Sequence, residues 1–181
     1  MLSPQQSISA WSRVMQLFAG ISIAWTLISI LALPLGLGFK LVFETDSGVV
    51  TYGAGDFTLS QRLVISFIGS IQGFCWLWML VQVLRLSFCF IKGDILSHRV
   101  VNCLRNFGYG LFALAFSEIT CLPLINIYLQ SLGKLSPPLS TSILSLGDGA
   151  VESLMAGSLV IIISMILESS LLMRDELELT V

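Results

Sequence analysis

The chain has 181 residues, of which 55% are apolar and only 11% are Asp, Glu, Lys or Arg, and its formal net charge is −2. A soluble domain carries about 25% charged residues, so this chain lacks the charge to cover a water-facing surface, and its hydrophobicity excludes intrinsic disorder. With nine basic and eleven acidic residues there is no basic face for nucleic acid; a mean hydropathy of +0.91 marks an integral membrane protein whose first partner is lipid.

A membrane helix takes about 20 mostly apolar residues. Four stretches qualify, residues 14–37, 63–91, 107–129 and 149–173. The expected fold class is therefore an all-α membrane protein, a four-transmembrane-helix bundle forming a single integral membrane domain over residues 1–181. The first stretch exceeds the apolar length of a signal peptide, and Leu33-Pro34-Leu35-Gly36 lacks a small-x-small cleavage pattern, so an uncleaved helix is expected.

Next, two β-prone runs, residues 40–44 and 49–52, flank Thr45-Asp46-Ser47-Gly48. This spacing predicts a small outer β-hairpin between helices 1 and 2. Thr58-Leu59-Ser60-Gln61 has the spacing of a capping box and should open the second helix. Gly93 is suited to the left-handed conformation that stops a helix, and Ser97 is placed to cap the next one, which starts at His98. Gly133 is a further stop, followed by Pro137-Pro138 and several serines, a composition that predicts an irregular loop. Ser145 and Asp148 are rival caps for the fourth helix.

Orientation follows from the basic residues near helix ends. Arg13, Arg85, Lys92, Arg99, Arg105 and Arg174 fall on one side; Lys40, Arg62 and Lys134 fall on the other, beside Glu44, Asp46, Asp56 and Asp148. The bias of six to three predicts a multi-pass chain with both termini in the cytoplasm.

Burying charge in hydrocarbon is expensive, so an ionisable residue within a span is a functional candidate. Glu118 lies thirteen residues after Arg105 and Gln72 ten after Arg62. At 1.5 Å per residue these are about 20 Å from one interface and about 15 Å from the other. Thr26 and Ser158 are assigned to the same level, which predicts a polar belt of Glu118, Gln72, Thr26 and Ser158. Glu118 is open to three roles: proton carrier, ligand of a cation, or neutral acid bonded to Gln72 or a hydroxyl, the last being preferred because no Lys or Arg shares its depth. Pro123 should kink the third helix. Glu168 falls near the basic rim, where Arg85 or Arg105 is expected to pair with it.

The four cysteines, Cys75, Cys89, Cys103 and Cys121, form no CxxC pair and lie in or beside apolar segments, so they read as small buried hydrophobes. One histidine, His98, cannot make a bis-His haem or zinc site. HExxH, GxSxG and P-loop motifs are missing from the sequence, as are the outer cysteine pairs of a thiol oxidoreductase and the clustered aspartates of a CDP-alcohol transferase. No catalytic, metal or cofactor site is expected, and the chain is read as not an enzyme. Inverted repeats and paired broken helices are not seen, which argues against transport by a monomer and leaves a homo-oligomeric channel open.

Two segments carry a family resemblance. One runs from Leu84-Arg85-Leu86 through Lys92-Gly93-Asp94-Ile95-Leu96-Ser97 to Asn102-Cys103-Leu104-Arg105-Asn106-Phe107-Gly108; the other is Met173-Arg174-Asp175-Glu176-Leu177-Glu178-Leu179-Thr180-Val181. Together with the helix count they resemble an uncharacterised bacterial family of four-helix inner-membrane proteins, domain of unknown function 2975. The resemblance implies a neighbouring helix-turn-helix regulator and hence a membrane partner for a cytoplasmic transcription factor. The segment from Lys92 to Arg105 is open to two readings, a turn with topology-setting charges or a docking face. So is the tail, a solvated helix end or an extended strand packed on a protein. The candidate contact surface comprises Lys92, Asp94, His98, Arg99 and Arg105 with Leu177 and Leu179, the two leucines sharing one side of the extended form. The competing expectation is a small transporter, channel or ligand-binding membrane protein using the belt around Glu118.

Overall fold

The computed structural model describes residues 4–36, 40–45, 48–93, 97–134 and 148–179, with side chains over 10–36, 51–93, 97–134 and 149–176. In chain order it has α1 (Pro4–Leu35), β1 (Lys40–Thr45), β2 (Gly48–Gly53), a 3-10 turn (Ala54–Asp56), α2 (Leu59–Ile91), α3 (His98–Ser131) and α4 (Asp148–Leu179). All four α-helices are long and apolar enough to cross a membrane. They outrun the apolar stretches because their polar ends continue the same backbone pattern. Several of the hydroxyls they carry return to their own helix: Thr26, Ser70, Thr120, Ser158 and Ser169 each donate to the carbonyl four residues back, while the Ser87 hydroxyl crosses to the Ser12 carbonyl of α1. In lipid, which offers no water, that internal satisfaction lets a polar residue stay in a span.

Helix ends follow local chemistry. Gly36, Gly93 and Gly133 take positive φ values of 78°, 78° and 68°, and the glycine's missing Cβ makes that backbone accessible after the last helical turn. At the start of α2 the Gln61 carboxamide oxygen accepts the Thr58 backbone N–H at 3.0 Å, as the expected capping box requires. Ser97 has the extended backbone of a cap position but makes no cap hydrogen bond, and its hydroxyl is buried without a partner. Expected cap geometry is present there and the expected cap bond is not. α4 begins on Asp148 itself, while its rival Ser145 lies outside the described residues. α3 is continuous through Pro123.

β1 and β2 pair antiparallel, from Lys40 opposite Gly53 to Thr45 opposite Gly48; the two residues between them, Asp46 and Ser47, lie outside the described residues. The strand end of the protein holds its buried apolar cluster. Phe57, Ile65, Ile125 and Leu129 pack there with Leu33, Tyr52, Ala54, Ile68 and Tyr128. Lys134 closes the cluster: its ammonium sits 4.0 Å from the centroid of the Phe57 ring and donates to the Asp56 carbonyl, while its own carbonyl accepts the Tyr52 hydroxyl.

The helices alternate in direction and pack as chain neighbours, α1 on α2, α2 on α3 and α3 on α4. No comparable interface joins α4 to α1 among the described residues, so the expected four-helix bundle takes the form of an open row. Each interface is closed by glycine. A Cβ on Gly73 would lie 2.8 Å from the Ile30 side chain of α1, and one on Gly110 would lie 2.6 Å from Met79 of α2. Between α3 and α4, Gly108 and Gly157 each come within 3.2 Å of the other's backbone at the position a Cβ would occupy. Lipid gives helices no hydrophobic reason to associate, so close backbone approach across small residues supplies the attraction.

Candidate functional site

Two groups of candidate residues are brought together, one within the row and one at its basic end. Within the row, Gln72 of α2 donates from Nε2 to Glu118 Oε1 of α3 at 3.3 Å. The other carboxylate oxygen faces the first turn of α4: a Cβ on Gly149 would lie 3.3 Å from Glu118 Oε2. A side chain at 149 would crowd the carboxyl, and glycine leaves it room. The N-terminal turn of a helix carries partial positive charge that favours an anion. Glu118 is half-buried there.

This contact fixes the register of α4. Glu118 stands thirteen residues before the end of α3, so α4 starts about 20 Å short of that end. The level assigned to Ser158 from sequence is thereby corrected. Gly157 meets Gly108, ten residues before Glu118, so Ser158 lies about 15 Å along α3 from the carboxyl. The level shifts because α4 starts partway along α3 rather than at its end. Ser158 is exposed and donates to the Leu154 carbonyl. Thr26 donates to the Ser22 carbonyl and belongs to α1, which packs on α2. The belt of four reduces to a pair, Glu118 and Gln72, with Gly149 as a third participant that sequence reasoning missed. Its signal was modest: a glycine immediately after a potential helix cap.

At the basic end, Arg105 and Glu168 form the expected rim ion pair, with side chains 29% and 38% exposed. Arg105 is thus committed to the α3–α4 interface and is not an open contact residue. His98 Nε2 lies 3.9 Å from Asp175 Oδ2, which joins the start of α3 to the end of α4 and makes one patch of the two segments singled out from sequence. Lys92, His98 and Arg99 are exposed, as are Arg174, Asp175 and Glu176. Asp94 lies outside the described residues, and so do the side chains of Leu177 and Leu179.

The backbone at 177–179 does correct one expectation. α4 stays helical to Leu179, so the tail is not extended. Residues two apart on a helix point about 200° from each other, and Leu177 and Leu179 do not share a side. A helix persists because α4 has no glycine or proline after Gly157 to stop it.

All four cysteines are free; Cys121 is buried and the other three are half-buried. Among the described residues, no group of three His, Cys, Asp or Glu side chains is arranged to hold a metal ion. Among the described residues, apolar grooves open along the row. One of about 510 Å³ lies between α2 and α3, lined by Phe74, Trp78 and Tyr109, and one of about 370 Å³ lies between α1 and α2, lined by Trp11, Phe18 and Leu80.

The family described as "Protein of unknown function (DUF2975)" matches residues 59–181. The match begins on the first residue of α2 and takes in α3 and α4, so the Glu118–Gln72 pair and the His98–Asp175 patch both fall inside it. No curated protein and no solved structure matches the chain.

Proposed function

The chain belongs to the DUF2975 family of proteins of unknown function, and from that membership and the geometry at the basic end we propose that it is a non-enzymatic protein of a bacterial inner membrane that acts by contact with a cytoplasmic regulator of the helix-turn-helix type. In this reading both termini and the α2–α3 connection face the cytoplasm, and the paired strands form a hairpin on the outer side. The supporting observation is the approach of His98 to Asp175. It gathers the exposed charges of the α3 start and the α4 tail into one surface beyond the apolar part of the row. Basic residues near the inner leaflet are attracted to anionic lipid, while acidic ones are repelled; an acidic helical tail beside the start of α3 is suited to a protein surface.

The test is to establish whether a helix-turn-helix protein is encoded beside the gene, then to co-express it, crosslink in native membranes and recover it through a tag on the membrane protein. The regulator should be recovered with the intact chain and lost when residues 174–181 are removed. Recovery at full strength without the tail overturns the reading. A second reading, a small transporter, channel or ligand-binding membrane protein, draws support from the Gln72–Glu118 hydrogen bond and predicts a phenotype for Glu118 that is independent of any soluble partner.

A further inference from the structure

Arg85 and Arg105 stand at one level. Met79 of α2 meets Gly110 of α3. From that contact Arg85 lies six residues on and Arg105 five residues back along the antiparallel helix, about 9 Å and about 8 Å. Arg105 is taken by Glu168 at the basic rim. Arg85 is exposed and has no acidic partner among the described residues. A cation at the edge of the hydrocarbon without a carboxylate is left to the anionic headgroups of the bilayer.

The groove of about 510 Å³ between α2 and α3 leads away from it. Ile71, Phe74 and Trp78 line it from α2, and Arg85 continues their stripe, because intervals of three, seven and fourteen residues return to one side of a helix. Trp78 is about 10 Å and Ile71 about 21 Å along α2 from Arg85, so the groove runs from headgroup depth into the core. Gly110 forms its floor, where a Cβ would lie 3.3 Å from Trp78 Cδ1, and the exposed Tyr109 forms the other wall. Its volume is that of a small-molecule site, about 300–1,000 Å³. The groove between α1 and α2 is built differently. Arg13 and Arg85 each stand two positions from one of its lining residues, Trp11 and Val83, and so lie on the other sides of their helices.

We propose that the α2–α3 groove binds an anionic phospholipid, with an acyl chain along Phe74, Trp78 and Tyr109 and the phosphate at Arg85. The site is divided as the lipid is. Aromatic walls on a glycine floor hold a flexible apolar chain by dispersion contacts, and the guanidinium presents forked donors to phosphate oxygens. Phosphatidylcholine shares the chain and the phosphate but carries its own quaternary ammonium, which opposes Arg85; phosphatidylglycerol carries none. Binding is non-covalent, and it depends neither on the cytoplasmic-contact reading nor on which side of the membrane the basic end occupies.

Photo-crosslinking tests it. The full-length protein is placed in phosphatidylcholine liposomes with a trace of either phosphatidylglycerol or phosphatidylcholine bearing a diazirine in its acyl chain, and adducts are located by peptide mass mapping. Residues 71–78 and 109–113 should be labelled about fivefold more by the phosphatidylglycerol probe, the factor that one basic residue near a charged headgroup contributes. Residues 11–18, in the other groove, should be labelled equally by both. Arg85→Gln, at an exposed position, should abolish the preference, and Arg85→Lys should keep part of it. Equal labelling of residues 71–78 and 109–113 by the two probes, a preference that survives Arg85→Gln, or the same preference at residues 11–18 overturns the proposal. So does a lack of label at 71–78 and 109–113 with either probe, the result expected if a second copy of the chain fills the groove.

Discussion

Gly108 and Gly157 face each other where α3 crosses α4, and a Cβ on either would come within 3.2 Å of the other's carbonyl oxygen. The crossing fixes how far α4 slides along α3. The same register brings Gly149 to Glu118 and Asp175 to His98, so both candidate surfaces depend on it.

Gly157→Val should therefore lower stability. The new side chain would press on the Gly108 carbonyl, Leu111 and Phe112, and overpacking of this kind costs about 1–3 kcal/mol. Gly20 has nothing within 4 Å of its Cβ position, so Gly20→Ala should leave stability unchanged or slightly raised. Thermal unfolding in detergent compares the two; equal losses would refute the crossing.

Phe57→Ala should be among the most damaging changes at the strand end. Phe57 is 4% exposed and carries the Lys134 ammonium on its ring. Losing a buried aromatic costs about 3–5 kcal/mol, whereas Lys134→Met, which keeps an apolar stem, should cost about 0.5–1 kcal/mol. Denaturation of the two variants side by side checks the ratio.

Arg105 and Glu168 are partly exposed, and their coupling should be modest. A double-mutant cycle with Arg105→Ala and Glu168→Ala is expected to give an interaction of about 0–1 kcal/mol, screened by salt. A coupling several-fold larger, insensitive to salt, would mean that the pair is far drier than it looks.

Reporter fusions should read opposite signals after Val181 and between β1 and β2, with Val181 on the cytoplasmic side. An outer signal from Val181 would refute the orientation.

Helicity of the tail changes what its leucines can do. Because α4 runs to Leu179, a partner docking on one helix face can engage Leu177 or Leu179 and not both. Leu177→Asp and Leu179→Asp, made singly, should differ markedly in regulator recovery, with topology and expression normal. Equal losses would favour an extended tail.

Much of the fold was legible because the bilayer imposes a simple requirement of length and apolarity, which the four spans meet. Gly93 and Gly133 announced their helix ends through conformational freedom alone. The Gln72–Glu118 contact followed from counting rise along two neighbouring helices. The level of Ser158 did not, because the slide of α4 is decided by Gly108 meeting Gly157, and the pairing of two small residues leaves no periodic trace in one sequence. Ser97 shows the same limit at short range: the residue type and backbone of a cap are there, yet its hydroxyl finds no partner. For the tail the helix-end reading holds and the extended one does not, because continuity with a long helix prevails over the alternation of acidic and apolar residues.

The open row also bears on how the protein is made. Among the described residues, every substantial helix interface joins segments adjacent in the chain, so each helix released during synthesis finds the previous one already waiting beside it. Assembly can proceed in order of emergence, with no early helix held exposed until a late one arrives, and contacts this local are the kind that form fast. Such a chain should tolerate a pause between α3 and α4 during translation, when α1, α2 and α3 have already completed their shared interfaces.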